Sequence, residues 1–230
     1  MSWKRIALRL TSTLSVLLIL IVGGSIALRP QTARAHLVAY SDLVSEDGRV
    51  YVQQGQTFRG SPLEARYTEA LIRIETLFGD RVADPIVIFA ADEETAARFG
   101  NSYGAMHAGI HGRPIVMVGP IGMKSIDIMA HELLHAEHFA RVGYVNWART
   151  PAWFIEGMGM QVDNRPAYQS PTGEADIERV QTLNSFSAFM QGDLTANYTH
   201  ARLAVARLIA GEEVDLVVHN FAYTGLLFNW

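Results

Sequence analysis

The segment HELLH at residues 131–135 limits the fold of this chain more than any other feature, because its two histidines can share one metal ion on a helix. Residues four apart on an α-helix lie on one face with Cβ atoms about 6 Å apart, so His131 and His135 can both reach one ion. Glu132 lies beside them, where its carboxylate can reach a bound water without becoming a ligand. The pattern predicts a helix from about Ser125 to Val142 that presents two metal ligands.

A second predicted helix supplies a candidate third ligand. Thr150 and Pro151 form an N-cap and first-turn pair for a helix that extends through Asp163. Glu156 is the only acid in its first two turns and lies among apolar residues, where an unpaired carboxylate is costly to bury. Twenty residues separate His135 from Glu156, enough for the chain to finish one helix, turn and return. A cation bound between the two helices would remove the cost of burying Glu156.

HELLH followed by WFIEG at residues 153–157 resembles the gluzincin metallopeptidases, the thermolysin and aminopeptidase N-like (peptidase MA-like) group. The similarity covers roughly residues 85–163, about a third of the chain. It implies one zinc ion per chain and a general base at Glu132. The zinc ligands that it implies are His131, His135 and Glu156. The chain lacks the large extra domains of most relatives, and Ile155 replaces the family's asparagine before the third ligand.

The resemblance also implies a reaction, the zinc-dependent hydrolysis of peptide bonds in a peptide or protein substrate. Zinc lowers the pKa of a bound water to about 7, and Glu132 takes the proton of that water and passes it to the leaving amine. The family stabilises the oxyanion with a Tyr or His from a later helix, so Tyr198 and His200, at the start of a predicted helix over 196–210, are the candidates. The strand Ile115–Val118 matches the family's edge strand, to which an extended substrate adds.

Four further residues could belong to the site. His138 shares the helical face of the two ligand histidines but lies one turn further on, which favours a surface position or a place behind the ligands. Asp163 either orients a ligand histidine or is an exposed acid at a helix end. His107 and His111 lie in a glycine-rich stretch and either line the cleft or belong to a flexible loop.

The order of elements predicts an α+β fold: a small mixed sheet, with an edge strand packed on the HExxH helix, followed by a mostly helical C-terminal half, a zincin-like arrangement. Pro114 cannot donate a ladder hydrogen bond, which favours an edge position for Ile115–Val118. The other predicted elements are a hairpin over 36–56 around Asp47-Gly48, a helix over 62–78 capped by Ser61, a strand over 85–90 and a short helix over 93–99.

The N-terminal segment predicts export. Between Arg9 and Arg29 lie 19 residues without charge, about 28 Å as a helix, and the preceding bases place residue 1 in the cytoplasm. The segment is either a signal anchor that stays in the membrane or a signal peptide cleaved at a small-x-small site such as 25–27 or 33–35. Residues 1–35 are thus a targeting or transmembrane segment and 36–230 a single peptidase domain, membrane-tethered outside the cytoplasm or, after cleavage, secreted or periplasmic.

Charge and composition exclude several classes. Beyond residue 35 the chain carries 14 basic and 23 acidic residues, a poor surface for a nucleic-acid backbone. It has no cysteine, which excludes disulfides, a cysteine nucleophile and iron–sulfur clusters. The alternative to an enzyme is a membrane-tethered, non-catalytic binding module on a peptidase-like fold. Glu132 speaks against that alternative, because neither folding nor metal binding requires it.

Overall fold

The computed structural model describes residues 29–109, 113–169, 173–210 and 212–224, the last four without their side chains. Its described part is a mixed α+β fold with a small sheet and a mostly helical C-terminal half. The strands are β1 (Val44–Ser45), β2 (Val50–Val52), β3 (Ile86–Phe89), β4 (Gly104–His107) and β5 (Ile115–Val118). Their order is β1-β2-β3-β5-β4, with parallel pairing of β2 with β3 and of β3 with β5, and antiparallel pairing at both edges.

Helices cover both faces of the sheet and build the C-terminal half. They are α1 (Pro30–His36), α2 (Pro62–Phe78), α3 (Glu93–Phe99), α4 (Ile126–Arg149), α5 (Ala152–Gly159), α6 (Ile177–Thr182), α7 (Phe186–Phe189), α8 (Leu194–Ile209) and α9 (Val214–Thr224). Short 3-10 turns lie at Val38–Tyr40, Gly122–Lys124 and Pro166–Tyr168. The capping predicted for α2 is confirmed, since Ser61 accepts hydrogen bonds from the N–H groups of Leu63 and Glu64.

The alternation of strand side chains divides the core between the two faces of the sheet. Val87 and Phe89 of β3 point to the face covered by α2 and α4, together with the buried leucines of the HELLH segment. Ile88 of β3 and Met117 of β5 point to the opposite face, which α1 and α3 cover. The metal-ligand helix α4 and the N-terminal helix α1 therefore lie on opposite sides of the sheet.

The predicted edge position of Ile115–Val118 is wrong. This strand, β5, is paired on both sides, and β4 forms the edge instead. The prediction was wrong because Pro114 lies just outside the ladder between β5 and β4. The last pair of this ladder is His107 with Ile115. The missing N–H of Pro114 costs nothing there, and its carbonyl oxygen accepts a hydrogen bond from Ile86.

The predicted hairpin over 36–56 is confirmed only in its second half. Its turn lies at Asp47, whose carboxylate accepts hydrogen bonds from the N–H groups of Arg49 and Val50. The hairpin consists of β1 and β2 alone, because residues 36–40 end α1 and continue into a 3-10 turn. Ala35 and Val38 are buried against the outer face of the sheet, so packing of helical turns there overrides the strand-like sequence HLVAY.

The helices that carry the candidate ligands differ from the prediction in length. Helical structure in α4 continues past Val142 to Arg149, across Gly143, whose φ of 75° and ψ of 170° make a kink. Helix α5 has Pro151, not Thr150, at the N-cap position, and it ends at Gly159 rather than near Asp163. Helix α8 starts two residues before the predicted Ala196, capped by Asp193.

The N-terminal segment is described only from residue 29 onwards, so the predicted span up to residue 28 lies outside the described residues. Among the helices that are described, none has the length and apolar character needed to cross a bilayer. The predicted boundary between residues 35 and 36 falls within α1, and Ala35 is fully buried.

A buried ion network joins α4 to its neighbours. Arg141 on α4, with only 5% of its side chain exposed, donates hydrogen bonds to three carboxylates. They belong to Asp80, Glu137 and Asp215. Glu137 also accepts hydrogen bonds from the backbone N–H groups of Val82 and Ala83. The network fixes α4 to the segment between α2 and β3 and to α9.

Replacing Arg141 by methionine is expected to lower the free energy of unfolding by about 3 kcal/mol, because the buried Glu137 carboxylate loses its charged partner. Urea unfolding followed by tryptophan fluorescence measures the change. The matched control is Arg49→Met, which breaks an ion pair with Asp84 whose two side chains are 56% and 48% exposed and is expected to cost less than about 1 kcal/mol. Equal losses in the two variants would contradict a structural role for the network.

Candidate metal centre

His131, His135 and Glu156 come together in one buried group. One ligand atom from each lies within 4.8 Å of the other two. His131 Nε2 is 3.1 Å and His135 Nε2 is 3.7 Å from the same carboxylate oxygen, Oε2 of Glu156. Ligand atoms about 2.1 Å from a tetrahedral ion lie roughly 3.4 Å apart, so the spacing suits a single small cation. The structure thus brings together the three residues that the sequence predicts, in a group that could bind a metal ion.

The charges around this group favour a cation between the two helices. Burial lowers the pKa of His131, but its contacts with Asp163 and Glu156 outweigh burial and raise that pKa to about 10. Glu156 is itself buried, which raises its pKa, yet the neighbouring histidines bring that pKa below its usual value. Burial lowers the pKa of His135 to about 4, so its imidazole is neutral and has a lone pair for a metal. A divalent cation bound at this group would take the place of the His131 proton, and the carboxylates that stabilise that proton would balance the charge of the cation.

Asp163 lies behind the first ligand. It is fully buried, and its Oδ2 is 3.6 Å from Nδ1 of His131, the ring nitrogen that faces away from Glu156. The predicted exposed acid at a helix end is therefore wrong, and the carboxylate lies beside the outer ring nitrogen of His131, the place that the predicted orienting role requires. Arg165 Nε donates to both oxygens of the same carboxylate at 2.9 Å. Burial raises the pKa of Asp163, but His131 and Arg165 together bring it well below its usual range.

Glu132 lies in the same cleft and outside the ligand group. Burial raises its pKa to about 7, an effect that the charge of His131 partly offsets. The edge strand β4 passes directly over it. A Cβ atom added at Gly104 would lie 2.5 Å from Cγ of Glu132, so only glycine gives this carboxylate its room.

Tyr198 is placed beside the ligands, as the sequence predicts. Its ring meets the His131 ring edge to face with centroids 6.1 Å apart. Burial and the charges of Glu156 and Glu132 raise the pKa of its hydroxyl well above the usual range, so it stays protonated and can donate a hydrogen bond. Tyr168 and Phe189 pack against its ring and fix its position.

The chain matches no protein-family model, no curated protein and no solved structure.

A cleft of about 590 Å³ opens over the group. The edge strand β4 lines one part of it, and another part of its wall is apolar. This apolar wall comes from the segment around α7 and includes Phe186, Met190 and Leu194. All three side chains are substantially exposed, so the cleft offers an uncovered apolar surface beside its charged floor.

Two residues of the cleft could not be predicted from the sequence. Arg165 and Tyr168 line the cleft, and the guanidinium group lies over the tyrosine ring at 4.8 Å from its centroid. Neither residue belongs to a local pattern, because each reaches the site through a 3-10 turn that follows α5. The one available signal is their nearness in sequence to Asp163.

Three other candidate histidines lie outside the ligand group, and a fourth lies outside the described residues. His138 is fully buried against Trp147 and Phe154, so the predicted surface position is wrong; these aromatic rings cover its face of α4. His200 is not among the residues that line the cleft, and its Nδ1 accepts a hydrogen bond from the N–H of Asp176. His107 is buried at the end of β4 and contacts the Phe99 carbonyl oxygen, and His111 lies outside the described residues.

The Gly159→Ala substitution is expected to raise the dissociation constant of a metal ion bound at this group at least about tenfold. An added Cβ would lie 2.6 Å from Cε1 of His131, whose ring is held between Glu156 and Asp163 and cannot move without leaving its place in the group. Titration with a zinc-competing dye measures the change. Gly104→Ala is the control, because its methyl group presses on Glu132 rather than on a ligand and leaves zinc affinity unchanged. Equal affinity in the two variants would contradict this placement of His131.

Proposed function

We propose that this protein is a zinc-dependent metallopeptidase with a minimal zincin-like domain of the gluzincin type. The observation that carries the proposal is the buried group of His131, His135 and Glu156 with the separate carboxylate of Glu132 in one open cleft. Two imidazoles and one carboxylate, with room for a fourth position, are a donor set used by catalytic zinc sites. The proposed stoichiometry is one zinc ion per chain.

Glu132 is the proposed general base. Zinc, when bound by the three ligands, supplies a Lewis acid that acidifies water and polarises a carbonyl group. Glu132 accepts the proton of the attacking water and delivers it to the leaving amine. Its place under Gly104, at the edge of the cleft, leaves this carboxylate free of the ligand group and close to a substrate lying along β4.

Tyr198 is the proposed oxyanion donor. Its protonated hydroxyl lies on the cleft side of the centre and interacts with the Glu156 carboxylate. A hydroxyl in this place can donate a hydrogen bond to the oxygen that gains charge during attack on the peptide carbonyl. Tyr168 and Phe189 restrict its ring, which lowers the reorganisation needed in the transition state.

The proposed substrate is an extended peptide or protein segment that lies along β4. This strand lies against Glu132 at an edge of the sheet, and among the described strands it pairs only with β5, so its other side is the proposed place for an added strand. The apolar wall of Phe186, Met190 and Leu194 lines the same cleft and can receive substrate side chains. No nucleic-acid partner is proposed.

The proposed location is outside the cytoplasmic membrane. The uncharged stretch between Arg9 and Arg29, preceded by bases, supports a signal anchor with the acidic body on the outer side. Signal cleavage with release of the body is the alternative. N-terminal sequencing of the protein from the membrane fraction distinguishes the two.

The test uses the full chain, purified in detergent because α1 belongs to the folded body. Zinc content is measured by mass spectrometry, and hydrolysis is measured on a mixed peptide library. About one zinc per chain is expected, with hydrolysis that a chelator stops and added zinc restores. Bound zinc without hydrolysis of any peptide would favour the non-catalytic binding module, and folded protein that takes up no zinc would overturn the proposed function.

A further inference from the structure

The first helix that the structure describes begins directly after the uncharged N-terminal stretch of the sequence. That stretch ends at Arg29, and α1 begins at Pro30. A membrane anchor followed by a long flexible linker lets its domain move freely above the bilayer. Here no linker is present between the two, so a retained anchor would fix α1 at the membrane surface.

Helix α1 is fastened to α3 at its start and to the outer core of the sheet at its end. Gln31 donates hydrogen bonds to the carbonyl oxygens of Ala97 and Gly100 at 3.1 Å and 2.8 Å. Ala35, at the other end, is fully buried in the outer core. In the first turn, Thr32 Oγ1 lies 3.2 Å from Nδ1 of His107, the last residue of β4. The helix is therefore a rigid part of the body.

The contact between Thr32 and His107 brings the membrane end of α1 close to the cleft. Strand β4 extends from His107 to Gly104, a length of about 10 Å, and Gly104 lies against Glu132. Thr32 is three residues, or about 5 Å of helix, after Arg29. The path from the end of the uncharged stretch to Glu132 is thus on the order of 20 Å.

The surface that follows α1 suits a lipid interface. Leu37, Tyr40 and Val44 have large apolar side chains that are 57%, 88% and 46% exposed. Tyrosine is enriched where proteins meet lipid headgroups. The only acid between residues 29 and 45 is Asp42, and Arg98 neutralises it through two hydrogen bonds of 3.0 Å and 2.6 Å.

From these contacts we infer that the body rests on the outer leaflet of the membrane through the exposed segment at Leu37 and Tyr40 that follows α1, with the cleft on the order of 20 Å from the bilayer. The substrates are then polypeptide segments next to a membrane, such as the flanks of transmembrane helices. This inference rests on the proposed function, in particular on retention of the N-terminal segment. Cleavage at the 33–35 site is incompatible with it and would also cut α1 beside the buried Ala35.

The first test measures the contact with lipid, independently of activity. The chain has no cysteine, so a single introduced cysteine can carry a fluorophore. Full-length Tyr40→Cys is reconstituted into vesicles of phosphatidylcholine and phosphatidylglycerol with spin-labelled lipid. Strong quenching of the Tyr40→Cys label is expected. The control is Tyr144→Cys, at a position that is 65% exposed against 88% for Tyr40 and that lies twelve residues, about 18 Å of helix, beyond Glu132 on α4, and its label is expected to be weakly quenched. Equal quenching at the two positions would overturn the inference.

The second test varies the distance of the substrate from the membrane. A segment that the detergent-solubilised chain cleaves is joined to one transmembrane helix by a short linker, by a rigid helical spacer of about 45 Å, or by a flexible spacer with the same number of residues. In vesicles, the rigid spacer is expected to slow cleavage at least about tenfold relative to the other two, because it holds the segment beyond the reach of the cleft. Equal cleavage of all three would overturn the inference and leave the proposed function intact. Failure to cleave any segment, in detergent or in vesicles, would remove the proposed function and the substrate class with it.

Discussion

The Glu132→Gln variant is expected to bind zinc like the unchanged protein and to hydrolyse peptides at least about 1,000-fold more slowly. Glutamine keeps the volume and shape of the side chain below Gly104, so the fold and the cleft remain as they are. It cannot accept a proton from water, and that step carries the proposed reaction. Zinc binding is retained because Glu132 is not a member of the ligand group.

The matched control is Glu137→Gln, the same substitution five residues later on the same helix. Glu137 is fully buried and lies away from the cleft. Its carboxylate accepts hydrogen bonds from the backbone N–H groups of Val82 and Ala83 and from Arg141. Its loss is expected to lower the free energy of unfolding while the kcat of the folded fraction is kept. An equal loss of kcat in both variants would show that Glu132→Gln acts by disturbing the fold of α4 and not by removing a general base. Turnover that is unchanged in Glu132→Gln would remove the general base from the proposal.

The candidate ligand group could be predicted from the sequence because its placement depends on the spacing and the surroundings of residues that are close in the chain. The four-residue spacing of His131 and His135 determines that they share a helical face, whatever the rest of the chain does. Glu156 follows from an energetic argument, since a buried acid among apolar residues needs a positive partner. Both arguments use neighbouring residues only, and the structure agrees with both.

The order of the strands could not be predicted in this way. Which strand is the edge depends on pairing between residues far apart in sequence, and the four residues of β4, Gly104–His107, have no alternating pattern that marks them as a strand. Pro114 favours an edge strand when only its neighbours are considered. In the structure the ladder between β5 and β4 begins one residue later, at Ile115, so the proline does not prevent pairing. Burial of His138 has a similar cause, because Trp147 and Phe154 come from beyond the predicted helix and from the next one.

The His135→Ala variant is expected to lose its zinc, with a dissociation constant raised on the order of 1,000-fold. His135 Nε2 faces the shared oxygen of Glu156, so its removal leaves the ion with two protein ligands. His138→Ala is a matched control, because it removes another buried imidazole one turn further along the same helix. The His138 ring nitrogens make no hydrogen bond to the described residues, and burial holds its pKa at about 3, so its loss is expected to leave the zinc content unchanged.

Zinc content and circular dichroism of the two variants, measured together, separate ligation from folding. If both variants fold and only His135→Ala loses zinc, the ion is bound at the group formed by α4 and α5. If both lose zinc while folded, the ion lies further along α4, towards His138, and the ligand set is wrong. If neither loses zinc, the ion is bound elsewhere in the chain, and the cleft beside Glu132 no longer has a Lewis acid with which to hydrolyse peptides.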